Sequence, residues 1–372
     1  IILTGVYYFY QWNNLVFSAY IFLWIVGGWV YYFLNKGRRF FKWPEFFKEL
    51  VLKIKNVPGK NWLLFFFYLI GVVSCLIILI KSATGEPIRT PWTVIPKYFF
   101  VIYFLISGLL LIIVRQEKSF LRLFFLSAHF LLSFSVAQII FPLGYGYDAL
   151  IHLAAEKHIA NFGFILPKTF YYIGQYSLVF FLAKITALPT TIINSWLVPF
   201  LASYFLPATL IVAYQNFKAQ IKINYLPLFF LLLTFAIFTF TTPQNLSDLI
   251  LIIFSFLIFN HLSERAVGGW WWCFLILATT LIHPVAGMAA FIGGAVVFLQ
   301  QLKIKKVFFV LANMALCFLA PLAFLILSWF NPLFSSNWQI SWQFKAWLQN
   351  IFRFFPDLFL NTNFVHLIKT LD

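Results

Sequence analysis

Residues 62–80 read WLLFFFYLIGVVSCLIILI, without one charged side chain. Wound as an α-helix, such a run is about 28 Å long, close to the roughly 30 Å hydrocarbon core of a bilayer. Runs of about this length recur along the chain. Candidate spans fall at about 15–34, 62–80, 98–114, 121–141, 190–215, 225–242, 246–260, 270–282, 284–300 and 307–329. Charged residues make up 10% of the chain and hydrophobic ones 63%. A soluble domain carries about 25% charge, so this chain cannot clothe so many apolar helices in water. The expected fold is all-α, a polytopic integral membrane bundle of about ten spans. A β-barrel is excluded, because these runs do not alternate apolar with polar residues. The 51 Phe and 14 Trp suit lipid-facing helices with aromatic anchors.

The net charge of +16 points to basic cytoplasmic loops and anionic lipid rather than nucleic acid. The most basic loop is 35–61, NKGRRFFKWPEFFKELVLKIKNVPGKN. It reads either as a linker with a solvated face or as a helix lying on the membrane surface, with Phe46, Phe47, Leu50, Val51 and Ile54 on one side. The stretch 171–187 decides the sidedness of everything after it. If it lies flat or re-enters, the inner loops hold 17 of the 26 Lys and Arg, as the positive-inside rule prefers. If it spans, the division evens out. Lys184 in mid-segment also argues against a deep crossing. The loop 142–189 is then one large non-cytoplasmic element with interfacial helices. The turn TTPQN at 241–245, the His283-Pro284 break and the tail 331–372 emerge on its side. That break makes 270–282 and 284–300 either a hairpin or one kinked passage. Cys75, Cys273 and Cys317 each lie in an apolar run, so neither a disulfide framework nor a metal knuckle is expected. The chain opens on Ile with what looks like the tail of a longer apolar run, and FVHLIKTLD at its end carries no stop signal. Further protein is expected at both ends.

Into this apolar background the stretch GYGYDALIHLAAEKHIANFGF, 144–164, gathers Asp148, His152, Glu156, Lys157 and His158. At one residue per 100 degrees, Asp148, His152 and Glu156 share a stripe about 80 degrees wide, with His158 on the other flank of Asp148. Gly144 and Gly146 let the backbone turn before the helix. Asp148 has two compatible readings, as the helix N-cap or as a general base at a lipid boundary. A divalent metal on Asp148, His152 and Glu156 is a further alternative. His152 and His158 also read as plain interfacial polar residues. His283, at a broken span, suits a cavity or the water interface. Asp248 reads as a cap of the helix after TTPQN, and Ala286, Ala290 and Gly294 as a helix-packing stripe.

In order and sidedness these features resemble the GT-C superfamily of polytopic glycosyltransferases. The resemblance rests on the early Asp148, His152 four residues on, a short helix ending in NFGFILPKT, a second loop helix at YYIGQYSLVFFLAKITAL, and a span opening PTTIINSWLVPF. TTPQNLSDLILIIFSFLIF and ATTLIHPVAGMAAFIGG are similar to the family's next outer turn and its His-Pro break. The likeness covers about 121–330. Family members usually carry the Asp-bearing loop after the first span, whereas three or four spans precede it here. The resemblance implies transfer of a sugar from a polyprenyl-phosphate carrier to an acceptor hydroxyl, with Asp148 as general base. His152, Glu156, His158, Lys168, His283 and Arg353 would be substrate-binding, with Lys345 a further candidate for the phosphate. It implies a multi-pass protein of the cell membrane, active on its non-cytoplasmic face, requiring no cofactor. Its partners would be the lipid-borne donor, membrane lipids and an unidentified acceptor.

The expected organisation is N-terminal membrane helices over 1–120, a GT-C-like core over 121–330, and a non-cytoplasmic tail over 331–372. Two rival functions fit the composition. A transporter or flippase would also use broken helices and intramembrane polar groups. A non-catalytic membrane subunit would dock a partner through 35–61 or 331–372.

Overall fold

The computed structural model describes residues 2–9, 11–34, 59–116, 120–165, 172–215, 226–229, 231, 236–264 and 270–301. All of these belong to a compact unit spanning Ile1–Lys303; a second unit covers Ile304–Asp372. The expected span 307–329, the tail 331–372, residues 35–58 of the basic loop, and Lys168, Lys345 and Arg353 lie outside the described residues.

Among the described residues there are helices and no strands. They are α1 (Ile2–Phe9), α2 (Asn14–Leu34), α3 (Gly59–Lys81), α4 (Lys97–Gln116), α5 (Phe120–Ile140), α6 (Tyr147–Phe162), α7 (Ile173–Thr186), α8 (Thr190–Gln215), α9 (Leu226–Phe229), α10 (Pro243–Glu264), α11 (Trp270–Ile282) and α12 (Pro284–Gln301). Four of them, α3, α4, α5 and α8, are long and apolar enough to cross a membrane. The most apolar are also the least covered. Within the crossing windows 33% of α3 and 28% of α4 is buried, against 61% of α5 and 56% of α8. Phe66, Phe67, Ile70 and Ile77 of α3 and Val101, Phe104 and Leu105 of α4 stand exposed. In water this would be an aggregation surface; it is the pattern of helices that face lipid.

The more polar α5 is the shared wall of two cores. Leu126, Leu132, Val136 and Ile140 pack with α3 and α4. Phe130 and Phe134 pack with Val198, Ala202 and Leu206 of α8 and with Leu246 and Leu249 of α10. Pro199 and Pro207 lie inside α8, where neighbouring groups can re-satisfy the freed backbone. One such group is Thr241, whose hydroxyl accepts the Val198 N–H at 3.1 Å.

The expected span 225–242 is not one helix. Its described residues form the single turn of α9 and a short 3₁₀ turn at Ala236–Phe238. The chain then leaves helix to present Thr241 and Thr242. Thr242, rather than Asp248, caps α10: its hydroxyl accepts the Asn245 N–H at 3.1 Å, with Pro243 at the first helical position. Asp248 lies a further turn in.

The His283-Pro284 break makes a hairpin. Added Cβ atoms show the antiparallel fit, with Gly287 against Thr280 and Gly294 against Ile276. Ala286 and Ala290 are buried, so the small residues do let two helices close up.

Several element ends meet at one end of the bundle. The Thr84 N–H, after α3, donates to the Ile140 carbonyl at the end of α5 at 2.9 Å. Phe240, before α10, lies over Gly146, before α6. The Tyr172 N–H donates to the Ile282 carbonyl at 3.2 Å. The loop 142–189, the TTPQN turn and the His-Pro break therefore share an end, joined there by the α3–α4 loop.

Candidate functional site

The site is built on α6, α7 and the apex of the α11–α12 hairpin. α6 opens after Gly146, at φ +84, and closes on Gly163, whose left-handed backbone sends its N–H to the Ile159 carbonyl at 2.7 Å. Gly146, and not Asp148, is the N-cap residue, and no side chain caps this helix. Asp148 sits exposed in the first turn. There the helix dipole favours its charge, and the carboxylate is not spent on a structural hydrogen bond at the cap.

α7 has 14 residues, about 21 Å long, short of a bilayer core. Its buried face is Ile173, Gln175, Tyr176, Ser177, Val179 and Phe180. Its start presses on the hairpin: a Cβ on Gly174 would meet Ile282 and the Leu281 backbone at 2.8 Å. That close approach requires the glycine. It brings His283 beside α6, although 131 residues of chain separate His283 from His152.

The result is a ladder of rings. His283 stacks on Tyr172 at 5.8 Å, and Tyr172 meets His152 edge-on at 5.0 Å. His152 Nδ1 lies 2.7 Å from the Tyr176 hydroxyl. Tyr172 holds a left-handed backbone at φ 72, a sparsely populated state for a residue with a Cβ. Such strain is held in place here by its N–H bond to Ile282, and it gathers at working sites. Burial pushes the His152 imidazole down to about 4; the Asp148 carboxylate opposes this shift and His283 adds to it. His152 is therefore neutral near pH 7. His283 Nδ1 is buried with no hydrogen-bond partner among the described residues.

Glu156, on the same stripe as Asp148 and His152, goes elsewhere. It is 3% exposed, and its two oxygens accept the Gln175 amide at 2.9 Å and the Asn194 amide at 2.7 Å. Burial pushes its carboxyl up to about 8, against the pull of those two donors. It ties α6 to α7 and α8. The stripe thus runs from solvent at Asp148 to the interior at Glu156, and the third member of an Asp148, His152 and Glu156 metal set is already occupied. Among the described residues no three His, Cys, Asp or Glu side chains gather to hold a metal. His158 is also apart: it is exposed, with its ring 4.6 Å from Phe162 on its own helix.

Residues 2–17 strap the loop helices from outside. The Trp12 N–H donates to the Gly163 carbonyl at 2.8 Å. The Tyr7 hydroxyl both donates to the Ile165 carbonyl and accepts its N–H. Thr4 pairs with Ser177 at 2.9 Å, and the Trp12 ring stacks on Phe180 at 5.1 Å. Sequence reading missed this strap, and also Gln175, Asn194, Tyr172 and Tyr176. The available signal was the price of a lone amide in an apolar helix, which implies a buried partner without naming it.

Two cavities flank the turn 142–146. One, of about 300 Å³, lies between Thr84–Ile88 and Phe141–Gly146. A smaller one, of about 70 Å³, is lined by Gln138, Ala149, Leu153, Thr191, Asn194 and Thr241 among others. Asp148 is in the lining of neither; in the chain it follows Gly146, which lines the first, by two residues. Comparison with protein-family models, with curated proteins and with solved structures finds no match.

Proposed function

We propose that this chain is a GT-C-type membrane glycosyltransferase that moves a sugar from a polyprenyl-phosphate carrier to an acceptor hydroxyl. In this reading about ten spans cross the cell membrane, and the end carrying α6, α7 and the hairpin apex faces away from the cytoplasm. The observation that carries it is the convergence of the exposed Asp148 carboxylate with His152 and, from the far hairpin, His283. An exposed carboxylate that caps no helix is free of a structural role at the cap, which supports the reading.

Asp148 takes the proton of the acceptor hydroxyl as that oxygen attacks the anomeric carbon. The bond from the anomeric carbon to the phosphate oxygen breaks, and the polyprenyl phosphate leaves with the electron pair. One base and one displaced leaving group invert the anomeric centre. Neutral His152 orients through Tyr176 and adds no charge. The departing phosphate calls for a cation; from the sequence Lys168, Lys345 and Arg353 are the candidates, and all three lie outside the described residues. The lipid chain lies along the exposed aromatic faces.

The test supplies purified protein with a radiolabelled polyprenyl-phosphate sugar and a mixture of acceptors. Transfer by the wild type and none by a folded Asp148→Asn variant supports the reading; equal transfer by both removes Asp148 as the base.

A further inference from the structure

The α3–α4 loop comes from helices outside the 121–330 region, yet it walls the larger of the two cavities at the turn before α6. Its backbone is held by the Thr84 N–H on Ile140, by the Glu86 N–H on the Thr84 hydroxyl at 3.0 Å, and by the Ile88 N–H on the Glu86 carbonyl at 2.8 Å. The opposite wall is aromatic. Phe141 and Tyr145 stack at 5.2 Å with planes 14° apart, and Phe240 braces Tyr145 edge-on at 5.7 Å. The left-handed Gly144 and Gly146 let this wall turn tightly toward the start of α6.

The cavity's chemistry is selective. Glu86 supplies a carboxylate, Thr84 a hydroxyl, and the Phe141–Tyr145 pair a flat apolar surface; no lining residue is basic. A carboxylate without a cation repels a phosphate and accepts hydrogen bonds from neutral hydroxyls. A flat aromatic wall takes the C–H face of a sugar ring. The volume of about 300 Å³ is at the lower end of small-ligand sites.

We propose that the cleft between residues 84–88 and 141–146 binds an uncharged, hydroxyl-rich sugar, the acceptor end of the reaction, with Glu86 as the hydrogen-bond acceptor that selects it. This rests on the transferase reading for the ligand's role. A sugar seated there has one edge at Gly146, against the helix turn that carries Asp148. Glu86 is then a specificity-determining residue contributed by the N-terminal helices.

The test uses the full chain in lipid nanodiscs with methyl α-glucoside, methyl α-mannoside and methyl α-galactoside, followed by saturation-transfer NMR. At least one glycoside is expected to bind. Glu86→Gln, an exposed change that leaves the fold intact, is expected to weaken binding about tenfold, the loss of one charge-assisted hydrogen bond. Tyr145→Ala is expected to weaken it independently. No binding by any of the glycosides, or unchanged binding in both variants, overturns the proposal. The transfer assay separates it from the transferase reading. Transfer with an unchanged acceptor KM in Glu86→Gln overturns the cleft and leaves the enzyme. Glu86-dependent glycoside binding without any transfer keeps the cleft and removes the enzyme.

Discussion

The Asn194 side-chain amide donates to Glu156 Oε2 at 2.7 Å, fastening the loop helix α6 to the membrane helix α8. With Gln175 on the other oxygen, a single carboxyl pins three helices beneath the exposed end of α6.

Removing one of those donors is expected to cost stability. Asn194→Ala leaves a buried carboxyl oxygen without its partner, a penalty of about 1–3 kcal/mol. In a Glu156→Met background the same substitution is expected to cost less, because no buried carboxyl is left to lose its partner. Thermal unfolding of the four proteins in one detergent measures the difference. Equal penalties in both backgrounds would show that Asn194 acts without Glu156.

The pH dependence follows from two shifts of opposite sense. Glu156 is pushed up to about 8 from an ordinary 4.5, so the folded state holds its proton more tightly. Its contribution is full below pH 4.5 and is lost as pH rises through 8. His152 is pushed down to about 4 from 6.5. Its contribution is full above pH 6.5 and is lost as pH falls through 4. Between 4.5 and 6.5 the two oppose; from 6.5 to 8 Glu156 alone changes. The Tm is expected to fall as pH rises from 6.5 to 8, and Glu156→Gln is expected to flatten that limb. A limb of the same slope in the variant would acquit Glu156.

Asp148→Asn is expected to separate chemistry from folding. The residue is exposed and caps nothing, so only a dipole contribution of about 0.3–1 kcal/mol is at stake. Loss of a general base costs about 10²–10⁴-fold in rate. Transfer should fall by that factor with the Tm nearly unchanged. A drop of several degrees in Tm alongside lost transfer would make Asp148 a structural residue.

Gly163→Ala is expected to release the N-terminal strap. Its backbone sits at φ +81, and a Cβ there would meet the Trp12 carbonyl. The left-handed strain alone is about 1–2 kcal/mol. Thr4 is 1% exposed against Ser177, so a Thr4→Cys reporter should be shielded from a polar thiol reagent. Gly163→Ala should speed its labelling, and an unchanged rate would mean the strap holds without that contact.

Two glycines in helices should respond in opposite directions. A Cβ at Gly287 would strike the Thr280 backbone across the hairpin; Gly287→Leu is expected to cost about 1–3 kcal/mol by overpacking. Gly108 faces open space on α4, so Gly108→Ala is expected to gain about 0.5–1 kcal/mol of helix propensity. Thermal unfolding reads both, and loss of stability at Gly108 would mean that its face packs against something.

The apolar helices were legible because burial in lipid is paid residue by residue. Each long apolar run announces itself without regard to its neighbours, and α3, α4, α5 and α8 begin and end within a few residues of expectation. The stretch 225–242 was legible as apolar, but not its break from one continuous helix. Its hydropathy is that of a span, while Thr241 leaves helix to accept the Val198 N–H inside α8 and Thr242 to cap α10. The stripe of Asp148, His152 and Glu156 was likewise legible as one face of a helix, but its burial gradient was not. Spacing says which residues align; it does not say how deep each one lies.

The sequence by itself determined that the chain is helical, that its long apolar helices belong in a membrane, and that its scarce ionisable groups crowd the start of one loop helix. Periodicity and hydropathy are local properties, and the residues that express them also carry them. Only the tertiary structure decided that Glu156 is spent on Gln175 and Asn194, that His283 reaches His152 through Tyr172, and that residues 2–17 and 84–88 border the same end. Those contacts join residues far apart in the chain. They depend on close approaches, at Gly174, Gly163 and Gly146, whose partners only packing selects.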